Sequence, residues 1–434
     1  MCSSDLLLLV ATFAAQSLLG GLLLVLPAAT TAPLSLIDAL FTSVSATCVT
    51  GLTVVDTGTA FTFVGQLTLL ALIQVGGLGI MTFSAATVLF LARRVSLRTE
   101  ATTANLVGAE SVGELQRVLV RVLAVTFATE LAGGLLLAWR FHAQGDAPAT
   151  ALWRGLFTAV SAFCNAGFAL QPDSLIPYQR DLLTLDIIAL LIIVGGLGPA
   201  VVTALPAIWR NQRAPLGARI ALATSALLLF LPIPALAALE WTASLKGLPP
   251  LHKLHNAWFF SVTLRTAGFN TVPMELISPP TLLLCLLWMI IGGSPGSTAG
   301  GMKTTTFAIL LLAVRAAVVG RGEIELFGRT VPHAIVYRAG AVATLCAFLV
   351  VTSTVALLVT QPLDLPTALF EAASATGTVG LSVGGTSRLD DIGKVIIMAC
   401  MFLGRVGPLT LFLLFEDTHH RHHATLPTEP VPVG

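Results

Sequence analysis

The hydrophobic pattern alternates two lengths of apolar run. Long runs fall at about 6–27, 64–92, 116–141, 181–209, 216–243, 279–319, 335–360 and 391–416, each enough for the roughly 20 residues a bilayer-spanning helix needs. Inside each successive pair lies a shorter amphipathic segment: LIDALFTSVSA (36–46), ALWRGLFTAVSA (151–162), LHNAWFFSVTL (254–264) and LPTALFEAASA (365–375). At about 1.5 Å per residue these are too short to span, and a half-membrane, re-entrant helix fits their length. They share a pattern near A-x-F-x-x-x-S-A, and each ends in an uncharged glycine turn: TCVTGL (47–52), FCNAGF (163–168), RTAGFN (265–270) and TGTVGL (376–381).

A second glycine motif follows at regular distance, as QVGGLG, IVGGLG, IIGGSPG and FLGRVG. Gly51 to Gly76 is 25 residues, Gly167 to Gly195 is 28, Gly268 to Gly292 is 24 and Gly380 to Gly404 is 24. Such regularity means one structural unit used four times. It predicts an all-α polytopic membrane protein of four membrane–pore–membrane repeats, with eight spanning helices and four re-entrant pore helices in pseudo-fourfold arrangement around a central pore. The repeats are 1–92, 93–215, 216–330 and 331–418, followed by a tail at 419–434.

Composition supports this class. Charged residues are only 10% of 434 and the mean hydropathy is +0.89, against about a quarter charged in soluble domains. The net charge of +1 provides no basic stripe for phosphates, so nucleic acid is not an expected partner; membrane lipids are. The six cysteines have no CxxC or zinc spacing and read as small packing residues. MCSSDLLLLV lacks the positive start of a secretory signal, so the first apolar run is expected to stay as a helix. In this topology 13 Lys or Arg lie on the side of the termini and eight, Arg265 among them, on the other. That bias places both termini in the cytoplasm of a cell-membrane protein.

Four irregular turns at membrane depth are tolerated only where protein buries them or where they line an aqueous cavity. Glycine allows positive φ, so successive carbonyls can face a shared axis and replace the hydration shell of K⁺. The half-helices would aim their negative C-terminal ends at the same place. No carboxylate lies in the turns, which favours a monovalent cation over a divalent one.

The fourfold unit, the single glycine in each turn and the stretch GGSPGSTAGGMKTT together resemble the Trk/Ktr/HKT superfamily of K⁺ transporters, over residues 6 to 416. Eight spans without an extra N-terminal pair look most like the ion-translocating subunits of Ktr systems. The resemblance implies a K⁺-binding selectivity filter built from Thr47, Cys48, Val49, Thr50 and Gly51; Phe163, Cys164, Asn165, Ala166 and Gly167; Leu264, Arg265, Thr266, Ala267 and Gly268; and Thr376, Gly377, Thr378, Val379 and Gly380. Some plant members have serine at the first filter glycine and prefer Na⁺; Gly51 implies K⁺. It also implies a homodimer docked on a cytosolic ring of nucleotide-binding KtrA-type subunits, with ATP or ADP acting only through that ring, no covalent cofactor, and Na⁺ as a candidate activator. The arginines of the cytoplasmic connections are candidate docking contacts, although the positive-inside bias explains them equally.

Residues 290–306, IIGGSPGSTAGGMKTTT, cannot hold a regular helix. The break is expected only in the third repeat, where a loop carrying Gly292, Gly293, Ser294, Pro295, Gly296, Gly300, Gly301 and Lys303 would obstruct the pore and move to open it. The resemblance implies the same gating loop. G-x-S-x-G at Gly292, Ser294 and Gly296 lacks acidic and His partners for a hydrolase, and GSTAGGMKT misses the phosphate-loop pattern by an inserted methionine. Lys303 and Arg405 are the two cations expected within membrane depth, where charges are costly and functional by default. Arg405 would project under the filter, repel resting cations and bond loop carbonyls, or instead pair with Glu130 or Glu371 and staple the bundle; Lys303 is an anchor or a gating residue.

Asp56 and Asp173 follow filter turns, as solvated loop residues or as a lure for cations. Glu130 and Asp186 fall within helices, and HHRHH at 419–423 reads as tail rather than metal site. The leading function is passive K⁺ translocation. A midplane transporter of an organic solute is the alternative, disfavoured because four turns recur; an enzyme is remote without clustered His, Asp or Cys.

Overall fold

The computed structural model describes residues 3–96, 107–210, 214–320 and 323–407. The order is α1 (Ser3–Val25), α2 (Leu36–Thr47), the single turn α3 (Thr57–Ala60), α4 (Phe63–Ser96), α5 (Val107–Ala143), α6 (Pro148–Phe163), α7 (Leu182–Trp209), α8 (Leu216–Phe230), α9 (Ile233–Glu240), α10 (Pro250–Thr263), α11 (Pro279–Met289), α12 (Thr304–Val319), β1 (Ile324–Leu326), β2 (Arg329–Val331), α13 (His333–Thr360), α14 (Leu365–Gly377) and α15 (Asp391–Val406). Among the described residues, four stretches are long and apolar enough to cross a membrane: Leu119–Ala143, Leu182–Pro199, Leu216–Glu240 and His333–Thr360. Val10–Val25, Phe63–Gly79, Pro279–Met289 and Thr304–Val319 are shorter apolar helices.

The four short segments are helices within a few residues of their expected bounds. Ser35 starts α2 by accepting from Asp38 N (3.1 Å), and Pro148, Pro250 and Pro366 sit in the first turns of α6, α10 and α14. Proline there lacks only an N–H that the helix leaves unpaired anyway. These helices are buried on nearly every side: Phe41, Phe157, Phe259 and Phe370, each at the F of the repeated pattern, are at most 1% exposed. The long helices do the reverse. Leu19, Leu22, Phe127, Leu131, Phe348 and Val351 are all more than half exposed, the face a lipid-bathed helix presents.

Three expectations need correction. The span expected at 216–243 is not a straight helix: within the apolar stretch Leu216–Glu240, α8 stops at Phe230 and α9 begins after Pro232, whose ring and missing N–H interrupt the ladder. The break near 290–306 is not peculiar to that helix, because α7 is also interrupted at Gly198 (φ 72°, ψ 157°), followed by Pro199. The fold is also not purely helical, since β1 and β2 form an antiparallel hairpin through Phe327 (φ 51°) and Gly328 (φ 71°), the paired positive φ of a tight hairpin turn. The HHRHH run and the connections at 97–106 and 211–213 lie outside the described residues.

Asp181 ties α5 to α7. It caps α7 by accepting from Thr184 N (3.4 Å), also accepts from Thr184 Oγ1 (2.5 Å), and takes Arg140 Nε at 3.0 Å. Burial works to raise its carboxyl, but the bonds from Arg140 and Thr184 outweigh it and hold the group below the ordinary carboxylate range. A lowered native pKa contributes stability above the unfolded value and loses it as pH falls through the folded one. Asp181→Asn should therefore destabilise the detergent-solubilised protein at neutral pH by about 1–2 kcal/mol in thermal unfolding. Its deficit against wild type should close as the pH falls below the carboxylate range.

Candidate functional site

The four glycine turns share one backbone signature. In each five-residue stretch the third and fifth residues have positive φ: Val49 (55°) and Gly51 (94°), Asn165 (58°) and Gly167 (71°), Thr266 (64°) and Gly268 (77°), Thr378 (49°) and Gly380 (89°). A left-handed β-branched residue costs roughly 1–2 kcal/mol, yet Val49, Thr266 and Thr378 all accept it at the same position. Strain repeated in this way belongs to sites the surroundings over-determine.

The N–H groups fold back onto the short helices. Thr50, Ala166 and Val379 donate to the carbonyls of Ser45, Ser161 and Ser374 at 2.7–2.8 Å. These acceptors are main-chain groups, and Ser45 adds a side-chain contact, its Oγ taking Gly51 N (3.1 Å). In the third turn Ala267 N donates to Thr263 O instead (3.0 Å). Among the described residues, no donor reaches the carbonyls of the third to fifth residues of any turn. Those oxygens accept no hydrogen bond from the described residues.

The turns touch in chain order. A β-carbon on Gly51 would collide with Ala166 O; on Gly167 it would meet Gly268 Cα at 2.8 Å; on Gly268 it would meet Val379 O at 2.8 Å; on Gly380 it would collide with Thr50 O. All four glycines line one polar cavity of about 530 Å³, together with Asp56, Asp173 and Glu275. Asp56 also caps α3 through Thr59 N (2.8 Å). Glu275 was not singled out from sequence; it sits between two prolines and isoleucine-leucine pairs, without a motif to mark it.

The remaining turn residues Thr47, Cys48, Phe163, Cys164, Leu264, Arg265, Thr376 and Gly377 are buried behind this surface. Asn165, with its amide turned to satisfy it, donates to Ile192 O (3.2 Å) and Ala162 O (3.1 Å). Glu130 takes Gln74 Nε2 at 3.1 Å, beside Cys164 Sγ. Asp186 pairs with His255 (2.8 Å). The second glycine motif has a packing reason: Gly76, Gly195 and Gly404 each press on the first carbonyl of their own turn, Thr47 O, Phe163 O and Thr376 O, with no room for a β-carbon.

Between α11 and α12 the chain leaves helix and lies against the inner side of the turns. Gly292 N and Met302 O bond at 2.9 Å, and Met302 N returns to Ile290 O at 3.0 Å, closing the segment into a loop. Ser294 N and Thr298 N donate to Gly196 O (2.9 Å) and Gly195 O (3.3 Å), and Thr298 Oγ1 donates to Phe163 O (3.0 Å). Gly293, Ser294, Gly300 and Ser297 are buried, Gly301 and Gly296 half-buried and Pro295 exposed. Gly296 rests on Gly198, the interruption in α7, while Gly300 and Gly301 rest on Thr378 and Gly377. Lys303 Nζ returns to Ala299 O (2.7 Å).

Arg405 reaches this loop from α15. Its guanidinium donates to Thr298 O and, at 3.2 Å, to Gly76 O, and it is 4% exposed. Neither acid expected as a rival partner takes it. Glu130 serves Gln74, and Glu371 accepts from Ser382 Oγ, Val383 N, Gly385 N and Thr386 Oγ1. Arg265 is a correction: placed by sequence on the outer side, it is 6% exposed and bonds Gly292 O. Position in sequence fixed its repeat, not its depth.

Buried short helices and exposed apolar long ones define a polytopic helical membrane protein. The chain belongs to the TrkH family of cation transport proteins, whose family model matches residues 3–423; its members are ion transporters, not enzymes. It is 38% identical to the Ktr system potassium uptake protein B of Bacillus subtilis, over 92% of this chain and 90% of that protein. It is 34% identical to the potassium/sodium uptake protein NtpJ of Enterococcus hirae, over 98% and 96%. The fold is also that of the potassium transporter TrkH from Vibrio parahaemolyticus, at a TM-score of 0.74 and 20% identity, covering 97% of this chain and 86% of that one.

Proposed function

We propose that the chain translocates K⁺ across the cell membrane, through a filter of backbone carbonyls supplied by residues 47–51, 163–167, 264–268 and 376–380. The observation that carries this reading is the repeated left-handed signature, with free carbonyls, in four turns that touch in ring order. The repeats 1–92, 93–215, 216–330 and 331–418 are then four quadrants of a pseudo-fourfold pore. The cavity with Asp56, Asp173 and Glu275 is its outer vestibule, which concentrates cations.

The loop of residues 290–306 is the gate beneath the filter, with Arg405 and Lys303 as its cationic anchors. Both termini are cytoplasmic, and the protein works as a homodimer on a nucleotide-binding cytosolic ring, through which ATP or ADP acts. The potassium/sodium naming of one relative keeps Na⁺ as a candidate activator. Neutral carbonyls rather than a charged ring favour a dehydrated monovalent ion. Thr and Val occur in the first and fourth turns but not together in the others, so the filter is looser than a symmetric one.

The test is flux into proteoliposomes with K⁺, Rb⁺ and Na⁺ offered separately, with and without the partner ring. K⁺ and Rb⁺ uptake well above Na⁺ is expected. Equal passage of all three, or none with a concentration-driven gradient and the partner present, would overturn the reading.

A further inference from the structure

We propose that Arg265 is a positioning residue: it clamps the entry of the 290–306 loop to the third filter turn and to α8, so that this end of the loop stays fixed while the remainder moves. The proposal rests on reading that loop as the gate. Its basis is a substitution of one kind of contact for another. In the first, second and fourth quadrants the long helix meets its own turn directly, Gly76 on Thr47 O, Gly195 on Phe163 O and Gly404 on Thr376 O. The corresponding Gly292 does not. A β-carbon there would collide with Gly300 O, inside the loop itself, and the nearest atom of the third turn would be Thr266 Cγ2, 3.4 Å away.

Arg265 supplies the missing connection. Its Nη2 donates to Gly292 O at 3.2 Å and to Ser225 Oγ at 3.2 Å, and its Nη1 lies 3.4 Å from Ser225 O. One planar guanidinium thus joins the end of α10, the middle of α8 and Gly292 near the start of the loop. The same position in the other turns holds Cys48, Cys164 and Gly377, none able to span such a gap. Only the quadrant whose second long helix gives way to an extended loop, between α11 and α12, has a long, forked donor there.

The setting argues that this contact is more than packing. Arg265 is 6% exposed and Ser225 1%, and among the described residues no carboxylate pairs with Arg265. Its Nε is buried without a partner. A membrane-buried cation without a counter-charge is expensive and is retained where it acts on something. Two of its bonds go to backbone carbonyls, so they specify position rather than sequence. Because the bond to Gly292 lies before the loop glycines Gly293, Gly296, Gly300 and Gly301, it sets where the loop can begin to bend.

The experiment reads loop position separately from transport. Ser297→Cys, in a Cys2→Ser background of the full chain in liposomes, reports loop exposure through its modification rate by a small charged maleimide from the cytoplasmic side; Ser297 is fully buried here. Adding Arg265→Ala should raise that rate by about tenfold, the loss of a charged hydrogen bond, and Arg265→Lys should restore it only partly, since an ammonium cannot serve α8 and the loop together. Ser225→Ala, which keeps the charge, should give a smaller rise and covers the case in which Arg265→Ala does not fold. K⁺ flux without the partner ring should rise in the same order. Wild-type modification rates in folded Arg265→Ala, or in Ser225→Ala if the former does not fold, would overturn the clamp. A raised rate without any K⁺ flux, in wild type as in the variants, would leave the clamp standing and sink the conduction reading.

Discussion

Gly380→Ala is expected to cut K⁺ flux by at least about tenfold. Two effects coincide there. Gly380 has φ 89°, where an L side chain is strained by roughly 1–2 kcal/mol. A β-carbon would also collide with Thr50 O and lie 3.1 Å from Gly51 Cα. Relief requires moving the first turn, whose free carbonyls belong to the same ring, so one methyl group disturbs two quadrants. Gly320 separates the two causes: it has φ 70° at the end of α12, yet nothing lies within 4 Å of its β-carbon position. Gly320→Ala should cost stability and leave flux near wild type. Both variants are checked by Rb⁺ uptake into liposomes, beside thermal unfolding. Wild-type uptake in Gly380→Ala would remove the ring from the conduction path.

What could be read in the sequence was whatever repeats. The short helices are placed by length and the phrase A-x-F-x-x-x-S-A, and the structure gives its phenylalanine a physical task, filling the interior. The spacing to Gly76, Gly195 and Gly404 was legible as a count, and its cause is backbone contact with the preceding turn. Features that occur once were harder. Pro232 kinks one helix where the continuous apolar run predicts an uninterrupted one. Gly198 breaks another because Gly296 must seat against it, a contact between repeats that no periodicity carries. Glu275 and Arg265 show the same limit, since distance along the chain does not tell which side of a turn a side chain takes. Glu130 and Asp186 meet Gln74 and His255, 56 and 69 residues away along the chain, separations that no local pattern carries.

Arg405→Ala is expected to raise K⁺ flux in the absence of the partner ring by about ten- to a hundredfold. The guanidinium holds Thr298 O of the loop and Gly76 O of α4 at once, and a hydrogen bond from a charged group is worth roughly 1.5–3 kcal/mol. Losing it releases the loop from α15 and also removes a positive charge from beneath the turns. These two consequences are separable by a double-mutant cycle. If Arg405 acts by holding the loop, deleting residues 294–298 should raise flux by itself, and Arg405→Ala should then add nothing. If it acts by repelling cations, the substitution should raise flux by the same factor with or without the loop. The bond to Thr298 O favours the first outcome, because a residue placed only for its field would not need a loop carbonyl within reach. Unchanged flux in folded Arg405→Ala would exclude both, and would leave the residue as a staple between α15 and α4.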